Sequence, residues 1–413
     1  MRYIHRLIEN KLLAYAKQFP VVVLTGSRQC GKSTLLKHLF KGGSFRYINF
    51  DERGMLERAL EDPDLFVKDF SSDVIIDEAQ KCPQLLHSIK WKVDEGFKCK
   101  IILSGSASFQ LLYRVTETLA GRAGVLELFP FSINERSPQA GFLDLALSAG
   151  NLKTLVGKIS ANKPVEDKCI LRHILWGGYP KIYEYKNNEF KRNWFENYRT
   201  TYLERDLRTL TQVADLSDFQ RFYQLLAFQQ AGILNLSNLS NEIGITVPTC
   251  KRYLQILEAS YQYFLLRPYH LNLRKRLVKT PKVYLMDTGM GNFFLGNDSL
   301  PLLLSSGRFG NILENWFVAE MVKQNSLRSR RANLYFWRTS GGAEVDLLIE
   351  DGERIIPVEV KASVRITDHA IRGLSDFLKL RINKRVDYGV VFYRGRQVLR
   401  LSTKIIALPI NFI

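Results

Sequence analysis

The chain has 413 residues, of which 46% are hydrophobic, and a formal net charge of +18, so we expect two to four domains with buried cores. No apolar run reaches the roughly 18 residues of a membrane span, and the N-terminus has no signal-peptide core. The five cysteines are scattered without a CxxC pair, so the sequence suggests neither a disulfide framework nor a zinc site. We therefore expect a cytoplasmic protein without a membrane partner.

The positive charge is unevenly distributed. The net charge is +3 in residues 1–150, +8 in residues 151–300 and +7 in residues 301–413. Basic surfaces often bind nucleic acid. A generally basic, soluble surface is an equally good explanation, so the charge leaves both interpretations open.

The first predicted helix, at 2–18, precedes a β-branched run at 21–24 that predicts a buried strand. The next segment, 26–33, has the spacing of a P-loop. Its backbone N–H groups must wrap a phosphate chain, which side chains would obstruct, and the following helix directs its N-terminus at the anion. The sequence therefore predicts that ATP is bound by Gly26, Ser27, Arg28, Gln29, Cys30, Gly31, Lys32, Ser33 and Thr34.

Two further residue types complete the predicted ATP site. Lys32 is expected to reach the β- and γ-phosphates, and the Ser33 hydroxyl to ligate Mg²⁺. A second apolar strand ends in Asp77 and Glu78, which is the Walker B pattern. Asp77 is predicted to hold Mg²⁺ and Glu78 to orient or deprotonate the attacking water. Two acids that merely close a strand are the alternative, which a preceding P-loop disfavours.

The strand at 100–103 runs into Ser104 and Ser106. Either serine is placed to sense the γ-phosphate, or else to cap the next helix. Arg122, with Arg114 as a second candidate, is predicted as an arginine finger supplied to a neighbour's nucleotide, which requires a homo-oligomer. A surface arginine is the alternative.

Strands at 46–50 and 125–128 bring the total to five, and they alternate with helices. This order predicts an α/β domain over residues 1–135, with a parallel sheet and its site at the strand C-termini. Residues 136–215 are predicted as a helical lid or linker, in which 136–170 is a linker or a set of loosely packed helices. Arg205 and Arg208 in the following long helix either face solvent or contact nucleotide from the lid.

Residues 216–295 are predicted as a winged-helix domain. Two helices joined by a glycine turn have helix-turn-helix spacing, and two strands follow as the wing. Lys251 and Arg252, with the basic wing tip at 274–279, are predicted to bind nucleic acid, DNA rather than RNA. Winged helices also serve as protein-binding modules, and that alternative stays open.

Residues 300–413 have the element order α-β-β-β-α-β. Asp346 faces Glu359 across a hairpin, and Lys361 shares one strand face with Glu359. Buried charges need a reason. We predict that Asp346 and Glu359 bind Mg²⁺ and that Lys361 positions water, with help from Glu314, for phosphodiester hydrolysis. The pattern resembles the PD-(D/E)xK nuclease core, a restriction-endonuclease-like α/β fold; a salt-bridged relic of that fold is the alternative.

Nearly the whole chain resembles a bacterial and archaeal ATPase family, on the motifs TGSRQCGKSTLL, VIIDEAQKCPQLL, ILSGSAS, LAGRAG, GGYP, TYLERDLR and EVD…VEVK. Its members join an additional-strand, AAA-type ATPase domain to a nuclease-like domain of unassigned function. The resemblance implies ATP binding through Lys32, Ser33, Asp77 and Glu78. Cys30 departs from the small apolar residue common in such loops, a difference that phosphate binding should tolerate.

Three functions fit these predictions. All of them begin with a Mg²⁺-dependent ATPase switch of weak basal activity that controls a distant site. The distant site is a metal-dependent nuclease in the first and a DNA-binding surface without cleavage in the second. In the third, a signalling or scaffold ATPase, an inactive nuclease-like tail binds a protein partner.

Overall fold

The computed structural model describes residues 3–43, 45–105, 117–210, 216–270, 279–367, 371–380 and 384–413, with no side chains described for 202–210. Several predicted residues lie outside this description: Ser106, Arg114 and most of the wing tip at 274–279, together with the side chains of Arg205 and Arg208.

The N-terminal domain is a five-stranded sheet flanked by helices. Its strand order is β2-β3-β4-β1-β5, and every neighbouring pair is parallel, which confirms the predicted α/β sheet. The elements are α1 (Glu9–Gln18), β1 (Val21–Gly26), α2 (Lys32–Leu39), β2 (Arg46–Asn49), α3 (Arg53–Glu61), α4 (Pro63–Lys68), β3 (Val74–Asp77), α5 (Leu85–Asp94), β4 (Ile101–Ser104) and β5 (Ala123–Leu128), with a short 3-10 helix at Ala79–Lys81.

The alternation of side chains along β1 explains why this sheet has helices on both faces. Val21 and Val23 belong to one buried cluster, and Val22 and Leu24 belong to another. Successive residues of a strand point to opposite faces. A strand that is apolar at every position must therefore be covered on both faces, which leaves the ends of the strands open. The P-loop follows the C-terminal end of β1 and lies at that open edge.

The segment predicted as a linker or loosely packed helices is tightly packed. Phe142, Leu143 and Leu155 are fully buried, and the Phe142 ring contacts the Phe392 ring of the C-terminal sheet at a centroid distance of 4.7 Å. That prediction is corrected. The helices of the middle region are α6 (Ile133–Arg136), α7 (Phe142–Ser148), α8 (Leu152–Ala161), α9 (Asp167–Trp176), α10 (Asn188–Leu210), α11 (Leu216–Phe228), α12 (Leu236–Ile243) and α13 (Val247–Ala259), with a 3-10 helix at Pro180–Glu184.

The remaining strands form one nine-stranded sheet of order β13-β14-β12-β11-β10-β9-β7-β8-β6. The elements are β6 (Gly232–Ile233), β7 (Tyr263–Pro268), β8 (Lys282–Leu285), α14 (Thr288–Leu295), α15 (Leu300–Ser305), α16 (Phe309–Leu327), β9 (Asn333–Arg338), β10 (Glu344–Asp351), β11 (Arg354–Lys361), α17 (Arg372–Leu378), β12 (Gly389–Tyr393), β13 (Leu399–Arg400) and β14 (Ile405–Pro409), with a 3-10 helix at Ile410–Phe412.

This sheet crosses the predicted boundary between 216–295 and 300–413. Strand β7 pairs in parallel with β9, through Arg267 opposite Tyr335 and Pro268 opposite Phe336. The helices and strands of 216–295 lie close to their predicted positions, but their interpretation as a winged helix stays a prediction. Among the described helices, none combines the length and apolar character needed to cross a bilayer.

Candidate functional site

The phosphate-binding loop joins β1 to α2. Gly26 has φ 151° and Gly31 has φ 102°, a backbone region that favours glycine. A Cβ on Gly26 would lie only 2.1 Å from the carbonyl oxygen of Leu128. The two glycines of the motif are therefore required by the path of the backbone.

Lys32 is buried and points back into the loop. Its ammonium donates to the carbonyl oxygens of Gly26, at 3.0 Å, and of Ser27, at 2.8 Å. The Ser27 hydroxyl is buried and has no hydrogen-bond partner among the described residues. A buried ammonium and an unpartnered hydroxyl in the loop that leads into a helix are groups that fit a bound phosphate. Thr34 lies exposed in the first turn of α2.

The Walker B carboxylate is held by two hydroxyl groups. Asp77 is buried, and its two oxygens accept hydrogen bonds from the Tyr47 hydroxyl at 2.5 Å and the Ser104 hydroxyl at 2.7 Å. Burial and the hydrogen bond to Asp77 raise the pKa of Tyr47, and a hydrogen bond with Ser33 opposes that rise. Ser33, Asp77 and Ser104 thus converge as predicted, around a tyrosine that no sequence motif had indicated.

Glu78 follows at the same edge of the sheet. Its backbone is left-handed, with φ 58°, and non-glycine residues in that region are often found at functional sites. Its carboxylate accepts a hydrogen bond of 2.5 Å from the Gln80 side-chain amide. The residue is half-buried at the C-terminal end of β3, and its role toward water stays a prediction.

Arg122 lies at the opposite edge of the same sheet. It precedes Ala123, which pairs with Val21 at the start of β1, about 16 Å along the strand from the loop. Its guanidinium makes two hydrogen bonds to the Asp94 carboxylate, at 2.6 and 3.0 Å. The structure therefore does not bring Arg122 to the ATP site of its own chain, and its role toward a neighbour stays a prediction.

The N-terminal segment reaches the loop through Arg6. This buried guanidinium donates to the carbonyl oxygens of Cys30, at 2.9 Å, and Phe129, at 2.7 Å, and it forms an ion pair with Glu135 at 3.0 Å. Cys30 itself is fully buried. The Arg6 guanidinium therefore holds the backbone of the phosphate-binding loop at the Cys30 carbonyl.

Tyr261 reaches the loop from the turn between α13 and β7. Its hydroxyl lies 2.8 Å from the Thr25 hydroxyl and 3.3 Å from the Glu127 carboxylate. The other oxygen of Glu127 accepts a 2.9 Å hydrogen bond from Arg331, just before β9. Tyr261 has φ 57°, and a non-glycine residue in this region costs conformational energy.

A buried polar network connects the N-terminal domain to α16. One ring nitrogen of His173 bonds the Phe131 carbonyl at 2.9 Å, and the other accepts from the Trp316 indole at 2.8 Å. Burial is the main cause that lowers the pKa of His173 to about 4, so the ring is neutral. The Glu320 carboxylate accepts from the Ile133 backbone N–H at 2.8 Å.

The predicted C-terminal residues also converge. The Asp346 carboxylate accepts from the Val360 backbone N–H at 2.8 Å, and Lys361 pairs with Glu359 at 2.5 Å. The second oxygen of Glu359 is buried without a partner in the described chain. Asp346, Glu359 and Lys361 line a cavity of about 300 Å³ together with Glu344. Burial raises the pKa of both Asp346 and Glu359.

Lys282, which sequence reasoning missed, supplies a second ammonium to this cluster. It pairs with Glu314 at 2.8 Å and with Glu344, and Glu314 also accepts from the Tyr284 hydroxyl at 2.7 Å. Burial alone would lower the pKa of Lys282, but Glu314, Asp346 and Glu344 reverse that effect and raise it. Burial, followed by the charge of Asp346, raises the pKa of Glu314 to about 7.

These contacts do not favour the predicted Mg²⁺ site at Asp346 and Glu359. Across the described ranges, no group of three or more His, Cys, Asp or Glu side chains is arranged to hold a metal ion. Two lysine ammonium groups already pair with three of the four carboxylates of this cluster. We therefore derive no hydrolytic step through a metal at this cluster.

Comparison with known proteins assigns the N-terminal domain. Residues 18–137 match the family described as "AAA domain". This segment is similar to AAA-type P-loop ATPase domains, and it has the parallel five-stranded sheet and the P-loop described above. Two further segments of the chain match families described only as domains of unknown function, DUF8612 over residues 168–300 and DUF4143 over residues 309–413.

Proteins similar along most of the chain are themselves uncharacterized. One from Mycobacterium tuberculosis is 28% identical over 394 residues, covering 94% of this chain and 80% of the relative. One from Haemophilus influenzae is 21% identical, covering 90% and 88%. Among solved structures, the Walker-type ATPase of Pyrococcus abyssi is similar at 16% identity with a TM-score of 0.47, covering 71% of this chain and 96% of that one.

Proposed function

We propose that the protein is a Mg²⁺-dependent, ATP-hydrolysing switch whose nucleotide state controls its basic C-terminal two thirds, which act on nucleic acid. One observation carries the proposal. Side chains from three separate parts of the chain contact the phosphate-binding loop or the residue before it. A change in the conformation of the loop would therefore alter contacts with segments outside the AAA domain.

Within the AAA domain, the residues divide the work. Lys32 would exchange the carbonyl oxygens of Gly26 and Ser27 for phosphate oxygens, while Ser33 and Asp77 would hold Mg²⁺. When bound, Mg²⁺ neutralises the phosphate oxygens as charge develops on them. Before nucleotide binds, the Tyr47 hydroxyl occupies one oxygen of the Asp77 carboxylate.

Three contacts would carry the change outward. Arg6 holds the Cys30 carbonyl, and Tyr261 holds the Thr25 hydroxyl. Pro180 lies against Gly31, with its Cγ 3.8 Å from the place that a Cβ there would occupy. Movement of Lys32 away from the loop carbonyls would alter the loop backbone, and these three contacts would pass the alteration to α1, α13 and the GGYP turn.

The nucleic-acid part of the proposal rests on charge. Residues 151–413 hold most of the net charge of +18, and Lys251 and Arg252 are exposed side by side on α13. Contacts with phosphates release counterions, so binding must weaken steeply as salt rises. We expect the affinity for DNA to fall on the order of a thousand-fold between 50 and 200 mM salt if several phosphates are contacted. An affinity that does not change with salt would contradict this part of the proposal.

Lys282 favours a second candidate function. Its ammonium lies among carboxylates at the place where a nuclease would need a divalent cation, which fits an inactive nuclease-like tail that binds a protein partner. Incubating DNA with Mn²⁺ separates the two candidates. Cleavage that disappears in Asp346→Ala supports a nuclease, whereas cleavage by neither protein, together with no salt-dependent DNA binding, supports the signalling or scaffold ATPase.

The ATPase itself is tested by calorimetry of ATP binding. Lys32→Ala should lose ATP binding and keep its fold, because the Lys32 ammonium bonds to atoms of the loop itself: the carbonyl oxygens of Gly26 and Ser27 and the Cys30 sulfur. Lys41→Ala removes an exposed charge just beyond α2 and is the matched control. Equal ATP affinity in the wild type and Lys32→Ala would refute the assignment of this site.

A further inference from the structure

A cavity of about 690 Å³ lies apart from both sites described above. It opens between α9, the start of α10, α15 and the 3-10 helix at Pro180–Glu184. Four cationic side chains line it: Arg136, Arg172, Lys186 and Lys191. Its lining residues include no aspartate or glutamate.

The cations of this cavity lack compensating charge. In the part of the chain that the structure describes, none of the four forms an ion pair, although Lys181 and Arg192 nearby do. Burial lowers the pKa of Lys191, and the charge of Arg172 lowers it further. Like charges held together at a partly buried site store repulsion, which an anion between them would relieve.

The wall of the cavity is aromatic as well as cationic. Trp176, Tyr183 and Tyr185 line it. The Arg136 guanidinium lies 4.0 Å from the Tyr183 ring centre, and the Lys191 ammonium lies 5.0 Å from the Trp176 ring centre. Each of these cations lies over one face of its ring, so cationic groups and aromatic rings together line the same wall.

We propose that this cavity is a second nucleotide site, separate from the P-loop, which binds an aromatic base against its rings and a phosphate against its cations. Its volume lies in the range of small-ligand pockets. Phosphate fits the guanidinium groups of Arg136 and Arg172. The nucleotide is either free or part of a single strand, since both present the same chemistry.

One turn of the chain runs from the cavity to the P-loop. Trp176 and Tyr183 line the cavity, and the turn between them places Pro180 against Gly31 of the P-loop. The Tyr183 hydroxyl also donates to the Gly177 carbonyl at 2.8 Å, which ties the two ends of this turn together. A nucleotide bound in the cavity would therefore change the affinity of the P-loop for ATP. By linkage, ATP bound at the P-loop would change the affinity of the cavity for its nucleotide by the same factor.

The test uses the full chain carrying Lys32→Ala, in which the P-loop cannot contribute. Fluorescently labelled AMP is titrated into this variant, and one saturable site is expected. Adding Arg172→Ala and Lys191→Ala should weaken binding at least tenfold. Adding Lys168→Ala and Arg192→Ala instead, which removes two exposed charges from the same two helices, α9 and α10, outside the cavity, should leave binding unchanged. Circular dichroism checks the fold of each variant.

The proposal is overturned if labelled AMP shows no saturable binding to Lys32→Ala, or if both charge-removal variants weaken it equally. It is also overturned if pyrophosphate displaces labelled AMP as well as unlabelled AMP does, because the rings would then play no part. Tighter competition by a short oligothymidylate identifies a strand as the source, and tighter competition by AMP identifies free nucleotide. Failure of P-loop binding in the wild type would leave these titrations unaffected.

Discussion

The hydroxyl of Tyr261 lies 2.8 Å from the hydroxyl of Thr25, one residue before the phosphate-binding loop begins. The two residues are 236 positions apart in sequence. The contact joins the first strand of the AAA domain to the turn that precedes β7.

Removing either hydroxyl should change ATP affinity by a similar amount. A hydrogen bond of this kind contributes about 1 kcal/mol, equivalent to roughly a fivefold change in the dissociation constant. We expect Tyr261→Phe, Thr25→Val and the double variant to shift ATP affinity alike, because all three lose the same bond. Calorimetry of the four proteins forms a double-mutant cycle, and strictly additive shifts would show that the contact does not couple the two segments.

Tyr47→Phe should lower the Mg²⁺ concentration that half-saturates ATP hydrolysis. Its hydroxyl bonds Asp77 at 2.5 Å, and that bond must be given up before the carboxylate serves an ion. Loss of the bond, worth about 1 kcal/mol, should reduce the requirement several-fold. Asp77→Asn, in contrast, should raise it more than tenfold. A requirement raised by Tyr47→Phe as well would mean that the hydroxyl helps to hold the ion.

Lys282→Met should destabilise the C-terminal sheet. Lys282 is only 3% exposed, and removing one partner of a buried ion pair costs about 3–5 kcal/mol. Urea unfolding measures the loss, and Lys279→Met, an exposed position three residues earlier, is the control. Mn²⁺ should restore stability to Lys282→Met and leave the wild type unchanged. A wild type that Mn²⁺ stabilises would show that the cluster binds metal despite the lysine.

His173 should make the protein sensitive to acid. Its folded pKa of about 4 lies below the unfolded value near 6.5. The unfolded chain therefore binds the proton more readily, and stability falls as pH drops from 6.5 to 4, by about 3 kcal/mol over the window. Glu314, whose folded pKa is raised to about 7, acts in the opposite sense between pH 4.5 and 7.

The comparison that isolates His173 is the wild type against His173→Gln, in which the Glu314 contribution is the same. The wild type should lose stability more steeply than the variant as pH falls from 6.5 to 4, measured by urea unfolding at several values in this window. Parallel pH curves would mean that the folded protein protonates His173 as easily as the unfolded chain does.

The AAA domain could be predicted because its nucleotide-binding residues lie in short sequence motifs that follow one another in a fixed order. Gly26, Lys32 and Ser33 lie within eight residues, and the acids of β3 follow a single apolar strand. Each of these patterns depends only on local backbone geometry, so spacing alone was informative.

The contacts around the loop could not be predicted, since they join residues far apart in sequence. Arg6 pairs with Glu135 across 129 positions, and Lys282 reaches the acids of β10 from a strand outside the predicted C-terminal domain. No local pattern marks such partners. The helices at 142–161 differ from the predicted linker or loosely packed helices for another reason. Their frequent Ser, Gly and Ala conceal the periodic Leu and Phe side chains that they bury.

The pairing of β7 with β9 determines how the chain can be divided for experiments. A fragment that begins at residue 300 would lack β7, the strand that pairs with β9. The backbone donors and acceptors along that edge of β9 would then be unpaired, and unpaired strand edges promote aggregation. Fragments that begin near residue 138 keep the nine-stranded sheet whole. Studies of the C-terminal half in isolation should therefore carry the preceding helices with it.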